Sequence, residues 1–166
     1  MIYYKGMDRI LDKPDWRILD AVQKDGKISL AELSDRVGLS KTPCQIRLRR
    51  LEEEGYITGY HARLDMRKIR KNYVVFIQVK LEATSRRHLE QFNAAVRKMD
   101  AVQSCHMMAG GFDYLLKVRC RNMEEYRVIL TDSINRLPGV YQTTTFPVME
   151  EVKRASGVDL ADLGAG

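Results

Sequence analysis

The chain has 166 residues, a length that suits one ordinary domain or two small ones. Hydrophobic residues make up 45% and charged residues 30%, which excludes a disordered or fibrous chain. The formal net charge of +6 suits a polyanionic partner, although charge alone does not identify one.

Helical patterns open the chain. Apolar residues one turn apart predict a first helix over 14–24, and Gly26 follows as a stop signal. Ser29 and Glu32 form a capping-box pair that predicts the start of a second helix, which Gly38 ends.

A third helix is predicted to follow after a short turn. Ser40 is placed to cap it, and its buried stripe is predicted at Cys44, Leu48 and Leu51, which recur at helical spacing until Gly55. Three helices joined by a short glycine-containing turn indicate a helix-turn-helix unit.

Positive charge is concentrated in two segments. Residues 64–72 hold four basic and one acidic side chain and follow an extended stretch, so we predict a basic linker there. The other concentration lies in the third helix. The two groups are Arg63, Arg67, Lys68, Arg70 and Lys71 around the linker, and Lys41, Arg47, Arg49 and Arg50 in the helix.

The second half of the chain predicts the order βαββαβ. Apolar and other residues alternate from Val75 to Leu81, the period-two pattern of a half-buried strand. We expect an α+β protein in which a winged helix-turn-helix is joined to a ferredoxin-like sheet with one uncovered face, most simply covered by a second copy. The remaining predicted elements are a helix over 89–99, strands over 102–109 and 114–120, a helix over 126–137 and a strand over 140–152.

Other sequence features concern the location of the protein, the state of its cysteines and its last residues. No run approaches the roughly 18 apolar residues of a membrane helix, and residues 1–12 lack the layout of a secretory signal, so we expect a cytoplasmic protein with no membrane partner. Cys44, Cys105 and Cys120 are odd in number and dispersed, which predicts free thiols. Residues 156–166 are predicted to form a flexible tail.

The third helix carries the candidate DNA-binding residues. A helix-turn-helix places this helix in the major groove, so the face opposite its buried stripe should read bases. We predict that Thr42, Gln45 and Arg49 contact bases. Phosphate contacts are predicted at Ser40, Lys41, Arg47 and Arg50. The alternative interpretation is a solvated basic face without DNA function.

Eight short runs carry a resemblance that covers the whole length. They are Leu11–Leu19, Leu33–Ser40, Thr42–Cys44, Arg47–Glu52 and Gly55–Ile57 in the first half, and Gly110–Leu116, Leu137–Val140 and Val148–Lys153 in the second. In combination they resemble the feast/famine regulators, the Lrp/AsnC family, and most closely its leucine-responsive branch.

The resemblance implies a DNA-binding transcriptional regulator that dimerises through its βαββαβ domains, assembles into octamers and responds to a small amino acid. It implies a DNA-binding domain over 1–63 and a responsive, oligomerising domain over 73–155, in a cytoplasmic, nucleoid-associated protein that controls amino-acid metabolism. No cofactor is expected; leucine, proline and other small apolar amino acids are candidate effectors.

The resemblance also implies an effector site at Gly110, Gly111, Asp113 and Tyr114. Backbone N–H groups of the glycine turn would receive the effector carboxylate, and Asp113 would accept from its ammonium group. Hydroxyls would come from a run of three threonines. These are Thr143, Thr144 and Thr145. A plain hairpin turn and ordinary strand propensity are the alternative interpretations of these motifs.

Two other functions stay open from the sequence. An architectural DNA-organising protein would need the same basic helix and no effector. Some haem-biosynthetic decarboxylases look like this family, and His106 beside Cys105 would then be a tetrapyrrole or metal site. Because no nucleophile triad, metal-spaced histidine cluster or phosphate loop is present in the sequence, we expect no enzymatic activity.

Overall fold

The computed structural model describes residues 11–154 and 157–160, and these residues form two compact units. One unit reaches Arg63 and also includes the chain from Lys153, whereas the other spans Leu64–Val152. The predicted linker at 64–72 thus begins the second unit.

Three helices form the first unit, α1 (Lys13–Lys24), α2 (Leu30–Val37) and α3 (Lys41–Glu53). The capping box predicted for α2 is present, because Ser29 and Glu32 each accept from the other's backbone N–H. The buried core includes the predicted stripe residues Cys44 and Leu51, whereas Leu48 is partly buried against it.

The chain leaves α3 as coil, with no paired strand in the described residues between 54 and 72. It is held against the helices by the hydroxyl of Tyr60, which donates to Glu52 Oε1 at 2.8 Å. Burial and the neighbouring Glu52 carboxylate raise the pKa of Tyr60 to about 12. A Cβ at Gly26 would lie 3.2 Å from Cδ1 of Tyr60, so glycine leaves room for this ring.

The second unit has the predicted βαββαβ order, with a 3-10 turn added. Its four strands form one antiparallel sheet in the order β2-β3-β1-β4, which makes β2 and β4 the edge strands. The elements are β1 (Tyr73–Leu81), α4 (Arg86–Val96), β2 (Val102–Met107), β3 (Tyr114–Cys120), α5 (Met123–Asp132), the 3-10 helix Ile134–Arg136 and β4 (Val140–Pro147).

The alternation predicted for β1 is confirmed. Val75, Ile77 and Val79 are fully buried and pack with Phe92 of α4, while Phe76, Gln78 and Lys80 lie on the opposite face. One face of the sheet is therefore the core, and the other, here called the open face, is left uncovered within this unit.

Some element boundaries differ from the prediction. The helix predicted over 126–137 ends at Asp132, because Ser133 has a non-helical backbone conformation (φ −125°, ψ −62°), and a 3-10 turn follows. The last strand ends at Pro147 instead of continuing to residue 152, consistent with the missing N–H of proline.

The tail predicted as flexible lies partly outside the described residues, namely at 156 and 161–166. In the described part, Val158 exchanges two hydrogen bonds with the side chain of Gln23, at 2.7 and 3.1 Å. A glutamine amide offers both the donor and the acceptor that an extended backbone needs, and the flexibility of the tail stays a prediction.

Candidate DNA interface and effector site

The turn between α2 and α3 positions the candidate reading helix. Gly38 ends α2 with φ +75° and ψ +37°, a left-handed conformation that favours glycine. The N–H of Leu39 donates to the carbonyl of Ser34 at 3.0 Å, which closes the turn before α3 starts. Ser40 precedes α3 as predicted, but its side chain makes no capping hydrogen bond.

The outward face of α3 presents most of the predicted DNA-binding side chains together. Lys41, Thr42, Gln45 and Arg49 are all exposed, and their spacing places them on one side of the helix. Arg49 Nε pairs with Glu53 Oε1 at 2.8 Å, but both side chains are largely exposed, so this pair is a weak, exchangeable one.

Ile46 lies on the same face and was missed by the sequence reasoning. Its side chain is 64% exposed although it sits among polar residues of α3. Helical spacing alone could have predicted that Ile46 is exposed, because it falls outside the buried stripe formed by Cys44 and Leu51. An exposed aliphatic group on a reading helix suits contact with thymine methyl groups.

Arg47 and Arg50 are placed differently from the prediction. Both guanidinium groups turn toward α1, where Asp15 is only 3% exposed and pairs with Arg47 at 2.9 Å and with Arg50 at 2.6 Å. These ion pairs indicate a structural role for both arginines, and their phosphate contacts stay a prediction. A carboxylate that is buried away from water is stable only when it is paired with positive charges, which accounts for the direction of both guanidinium groups.

Asp12 completes this cluster, which we call the α1–α3 clamp: Asp12, Asp15, Arg47 and Arg50. Arg47 Nη1 donates to Asp12 at 2.7 Å. Burial acts to raise the pKa of Asp12, but hydrogen bonds from Arg47 and from the Asp15 N–H outweigh it and leave the pKa below its ordinary value. The hydrogen bonds to Asp12 and Asp15 raise the pKa of Arg47.

Four of the predicted effector residues, namely Gly110, Gly111, Asp113 and Tyr114, lie in or directly after the loop 108–113 between β2 and β3. Gly110 and Gly111 are exposed there, and neither has a positive φ. A Cβ at either position would meet nothing within 4 Å. Neither backbone geometry nor packing within the described chain therefore requires these two glycines.

Asp113 ties this loop to the end of β1. Its Oδ2 accepts from the N–H of Leu81 at 2.8 Å, and its own N–H donates to the carbonyl of Val79 at 3.0 Å. One carboxylate oxygen is thus engaged in holding the loop, which leaves Oδ1 without a hydrogen bond in the described structure.

Three of the predicted effector residues do not face a common site. Tyr114 is buried with its ring 4.4 Å from that of Phe92, in the core. Thr145 bonds to the hydroxyl of Tyr126 at 2.6 Å, and Thr143 donates to Asn135 at 3.1 Å. Consecutive strand residues point to opposite faces, so of the three threonines only Thr144 belongs to the open face.

The open face carries a shallow concavity of about 190 Å³ at the end nearest the loop. Gly111 and Thr144 come from the predicted set. Of the additional lining residues, Gln78 and Lys80 lie on β1, Gln142 lies on β4 and Phe112 lies in the loop. Lys80 is exposed and makes no ion pair with any described residue, so it offers a cation beside amide and hydroxyl groups.

Apolar groups accompany the concavity on β4 and on the segment after it. Phe146 pairs across the open face with Phe76, whose ring lies 5.8 Å from Nζ of Lys117. Tyr141 is 72% exposed, and Met149 and Val152 are fully or nearly fully exposed. Such a concentration of exposed apolar side chains beside an edge strand is typical of an interaction surface.

Other chemistry is sparse in the part of the chain that the structure describes. Within it, no group of three or more His, Cys, Asp or Glu side chains is arranged to hold a metal ion. All three cysteines are free, and burial raises the pKa of their thiols. No helix among these residues is both long and apolar enough to cross a bilayer.

Comparisons with known proteins match both halves of the chain. Residues 11–58 match the winged helix-turn-helix DNA-binding family, and residues 74–158 match the Lrp/AsnC ligand binding domain. The proline dehydrogenase transcriptional activator of Rhizobium radiobacter is 52% identical over 86% of this chain and 92% of its own length. The leucine-responsive regulatory protein of Escherichia coli K12 is 49% identical over 88% and 89%.

Solved structures of transcriptional regulators are also similar to this chain. A transcriptional regulator of Neisseria meningitidis in complex with L-methionine is 33% identical, with a TM-score of 0.86 over 92% of this chain and 99% of that one. An AsnC family regulator of Agrobacterium tumefaciens is 29% identical, with a TM-score of 0.86 over 90% and 97%.

Proposed function

The chain belongs to the Lrp/AsnC family of transcriptional regulators, and we propose that it reads duplex DNA with the outward face of α3 under the control of a small amino acid bound on the open face. The observation that carries this proposal is the shared exposure of Thr42, Gln45, Ile46 and Arg49 on one side of α3. The domain division at 1–63, 64–72 and 73–155 is part of the same proposal.

Each side chain of the outward face has a distinct recognition chemistry. Gln45 would pair with adenine and Arg49 with guanine, each through two hydrogen bonds, while Ile46 would contact thymine methyl groups. Lys41, in the first turn of α3, would bind phosphate, where the helix dipole also favours an anion.

The concavity offers groups that match a free amino acid. Lys80 would bind the effector carboxylate, and the backbone N–H of Gly111 would add a donor. The side-chain oxygens of Gln142 and Thr144 would accept from the ammonium group. We propose a small apolar effector, since the relatives include regulators named for leucine and proline dehydrogenase and one complexed with L-methionine.

Assembly is the third element of the proposal. Tyr141, Phe146 and Met149 would be covered by a second copy, giving a homodimer, and dimers would assemble into octamers. Effector binding would favour one arrangement of these interfaces, with a coupling of about 1–3 kcal/mol. We further propose that the protein acts in the cytoplasm on the nucleoid, controls amino-acid metabolism and has no enzymatic activity.

The experiment that tests this proposal combines DNA selection with effector screening. Duplexes are selected from a random pool with the purified full-length protein, and affinity is measured by fluorescence anisotropy with each proteinogenic amino acid added in turn. Light scattering follows the assembly state in the same samples. We expect one amino acid to change DNA affinity, assembly or both.

Variants assign the response to the concavity. Lys80→Met should keep DNA binding and lose the amino-acid response, whereas Lys98→Met, which removes an exposed lysine after α4, should keep both. If no amino acid alters wild-type binding or assembly, the regulatory proposal is wrong and an architectural role in DNA organisation is favoured. Equal loss of the amino-acid response in both variants would show that the concavity is not the effector site.

A further inference from the structure

The second basic group of the chain is built on an ordered turn, here called the basic turn (residues 65–71). Oδ1 of Asp65 accepts from the N–H groups of Arg67 at 2.9 Å and Lys68 at 3.3 Å. The N–H of Lys71 donates to the carbonyl of Met66 at 2.9 Å. The turn is therefore a defined structure and not a featureless linker.

One end of the basic turn is fixed to the sheet and to α5. Nζ of Lys71 lies 2.9 Å from Oε1 of Glu125, and the carbonyl of Lys71 accepts from Nη1 of Arg119 at 3.2 Å. The side chain and the carbonyl of Lys71 are thus both bound within the second unit.

The other basic side chains of the turn are not paired in this way. Arg67, Lys68 and Arg70 are exposed, and none of their side chains has an ion pair or hydrogen bond with a described residue. The three arginines of α3, by contrast, all pair with carboxylates.

The backbone of Arg70 adds an independent observation. Its φ is +55°, the one positive value at a non-glycine residue in the described ranges 11–154 and 157–160. Glycine or asparagine would adopt this conformation more easily, and no hydrogen bond of the Arg70 side chain compensates for it. Strained residues of this kind concentrate at functional sites.

We propose that the basic turn is a second DNA contact, in which Arg67, Lys68 and Arg70 bind phosphates of duplex DNA, an inference that rests on the DNA binding proposed above. The chemistry fits, since guanidinium groups bind phosphate oxygens through paired hydrogen bonds and lysine binds them as a point charge. The chain from residue 58, where the helix-turn-helix match ends, to Asp65 spans at most about 25 Å.

This contact carries no sequence information of its own. Phosphate neutralisation releases counterions, so each contact steepens the fall of log affinity with log salt by about 0.9. The basic turn would therefore raise affinity for every duplex and leave the choice of sequence to α3.

Salt titrations of full-length variants test the proposal. Anisotropy measures affinity for a duplex of random sequence and for a duplex selected by the wild-type protein, over about 50 to 300 mM NaCl. Arg70→Gly removes the charge and accommodates the positive φ, so its folding should be intact by thermal melting. We expect the salt slope to fall by about 0.9 with Arg70→Gly, and by about 2.7 when Arg67→Ala and Lys68→Ala are added.

Two controls make the result specific. Arg127→Ala removes one exposed, unpaired arginine from α5 of the same unit and should keep the wild-type slope. Arg70→Lys keeps the charge and should also keep it. A wild-type slope in the triple variant, or an equal decrease in Arg127→Ala, would overturn the proposal. A wild-type protein that binds neither duplex would overturn DNA binding itself and the role of the turn with it.

Discussion

Oδ2 of Asp15 in α1 lies 2.6 Å from Nη2 of Arg50 in α3, and Oδ1 of the same carboxylate lies 2.9 Å from Nη1 of Arg47. One buried acidic side chain thus holds two arginines of α3. Because only 3% of Asp15 is exposed, its charge depends on these partners for stabilisation, and α3 depends on Asp15 for its position.

Replacement of Asp15 should destabilise the DNA-binding unit. In Asp15→Asn, Arg47 and Arg50 lose the carboxylate that neutralises them, and we expect a loss of about 2–4 kcal/mol in the free energy of unfolding, measured by urea denaturation. Asp20→Asn breaks the exposed pair with Lys24 and should cost at most about 1 kcal/mol. Equal losses in the two variants would show that the clamp contributes no more than a surface ion pair.

The arginines of α3 should separate into structural and DNA-reading residues. Arg50→Ala removes a clamp partner, so it should lower the unfolding free energy, whereas Arg49→Ala removes an exposed side chain and should leave stability within about 0.5 kcal/mol. In binding to selected and random duplexes, Arg49→Ala should reduce discrimination by about 1–3 kcal/mol. Stability lost in Arg49→Ala and retained in Arg50→Ala would reverse this division.

Local signals account for the parts of the fold that the sequence predicted. The Ser29–Glu32 capping box, the left-handed Gly38 and the alternation of Val75, Ile77 and Val79 act over a few residues, and each is found in the structure as the pattern predicts. Such signals depend on the backbone and on burial of one face, so neighbouring elements seldom override them.

The site was less predictable because partners far apart in the sequence decide it. Nothing near Arg47 indicates that Asp12, 35 residues away, accepts its hydrogen bonds. The direction of Thr143 and Thr145 was available from strand alternation, but only the register with β1 shows which face Thr144 takes. Lys80 likewise becomes a candidate ligand only when β1 and β4 are paired.

The glycines should respond differently to alanine. Gly38→Ala places a side chain at φ +75° and should cost about 1–2 kcal/mol in unfolding free energy, although no atom lies within 4 Å of the new Cβ. Gly111→Ala meets neither a positive φ nor a neighbour, so its stability should stay within about 0.5 kcal/mol of wild type. Chemical denaturation of both variants measures the difference, and a larger cost at Gly111 would contradict it.

Glu125 predicts an acid-dependent loss of stability in the second unit. The N–H of Arg121, 2.6 Å from Oε2, and Nζ of Lys71 hold the pKa of Glu125 at about 2, below its ordinary value of 4.5. A carboxylate whose pKa is lowered by folding stabilises the folded state above its unfolded pKa. That contribution is lost as pH falls from 4.5 toward 2.

Glu125→Gln should therefore lower the unfolding free energy by about 1–3 kcal/mol at neutral pH. The difference from wild type should shrink as pH falls through the window from 4.5 to 2, because protonation of the wild-type carboxyl removes the same interactions. Glu90→Gln, which breaks the exposed pair with Arg86, should show a small difference at every pH. Urea titrations across this range measure both, and a difference for Glu125→Gln that stays constant with pH would show that its charge does not stabilise the unit.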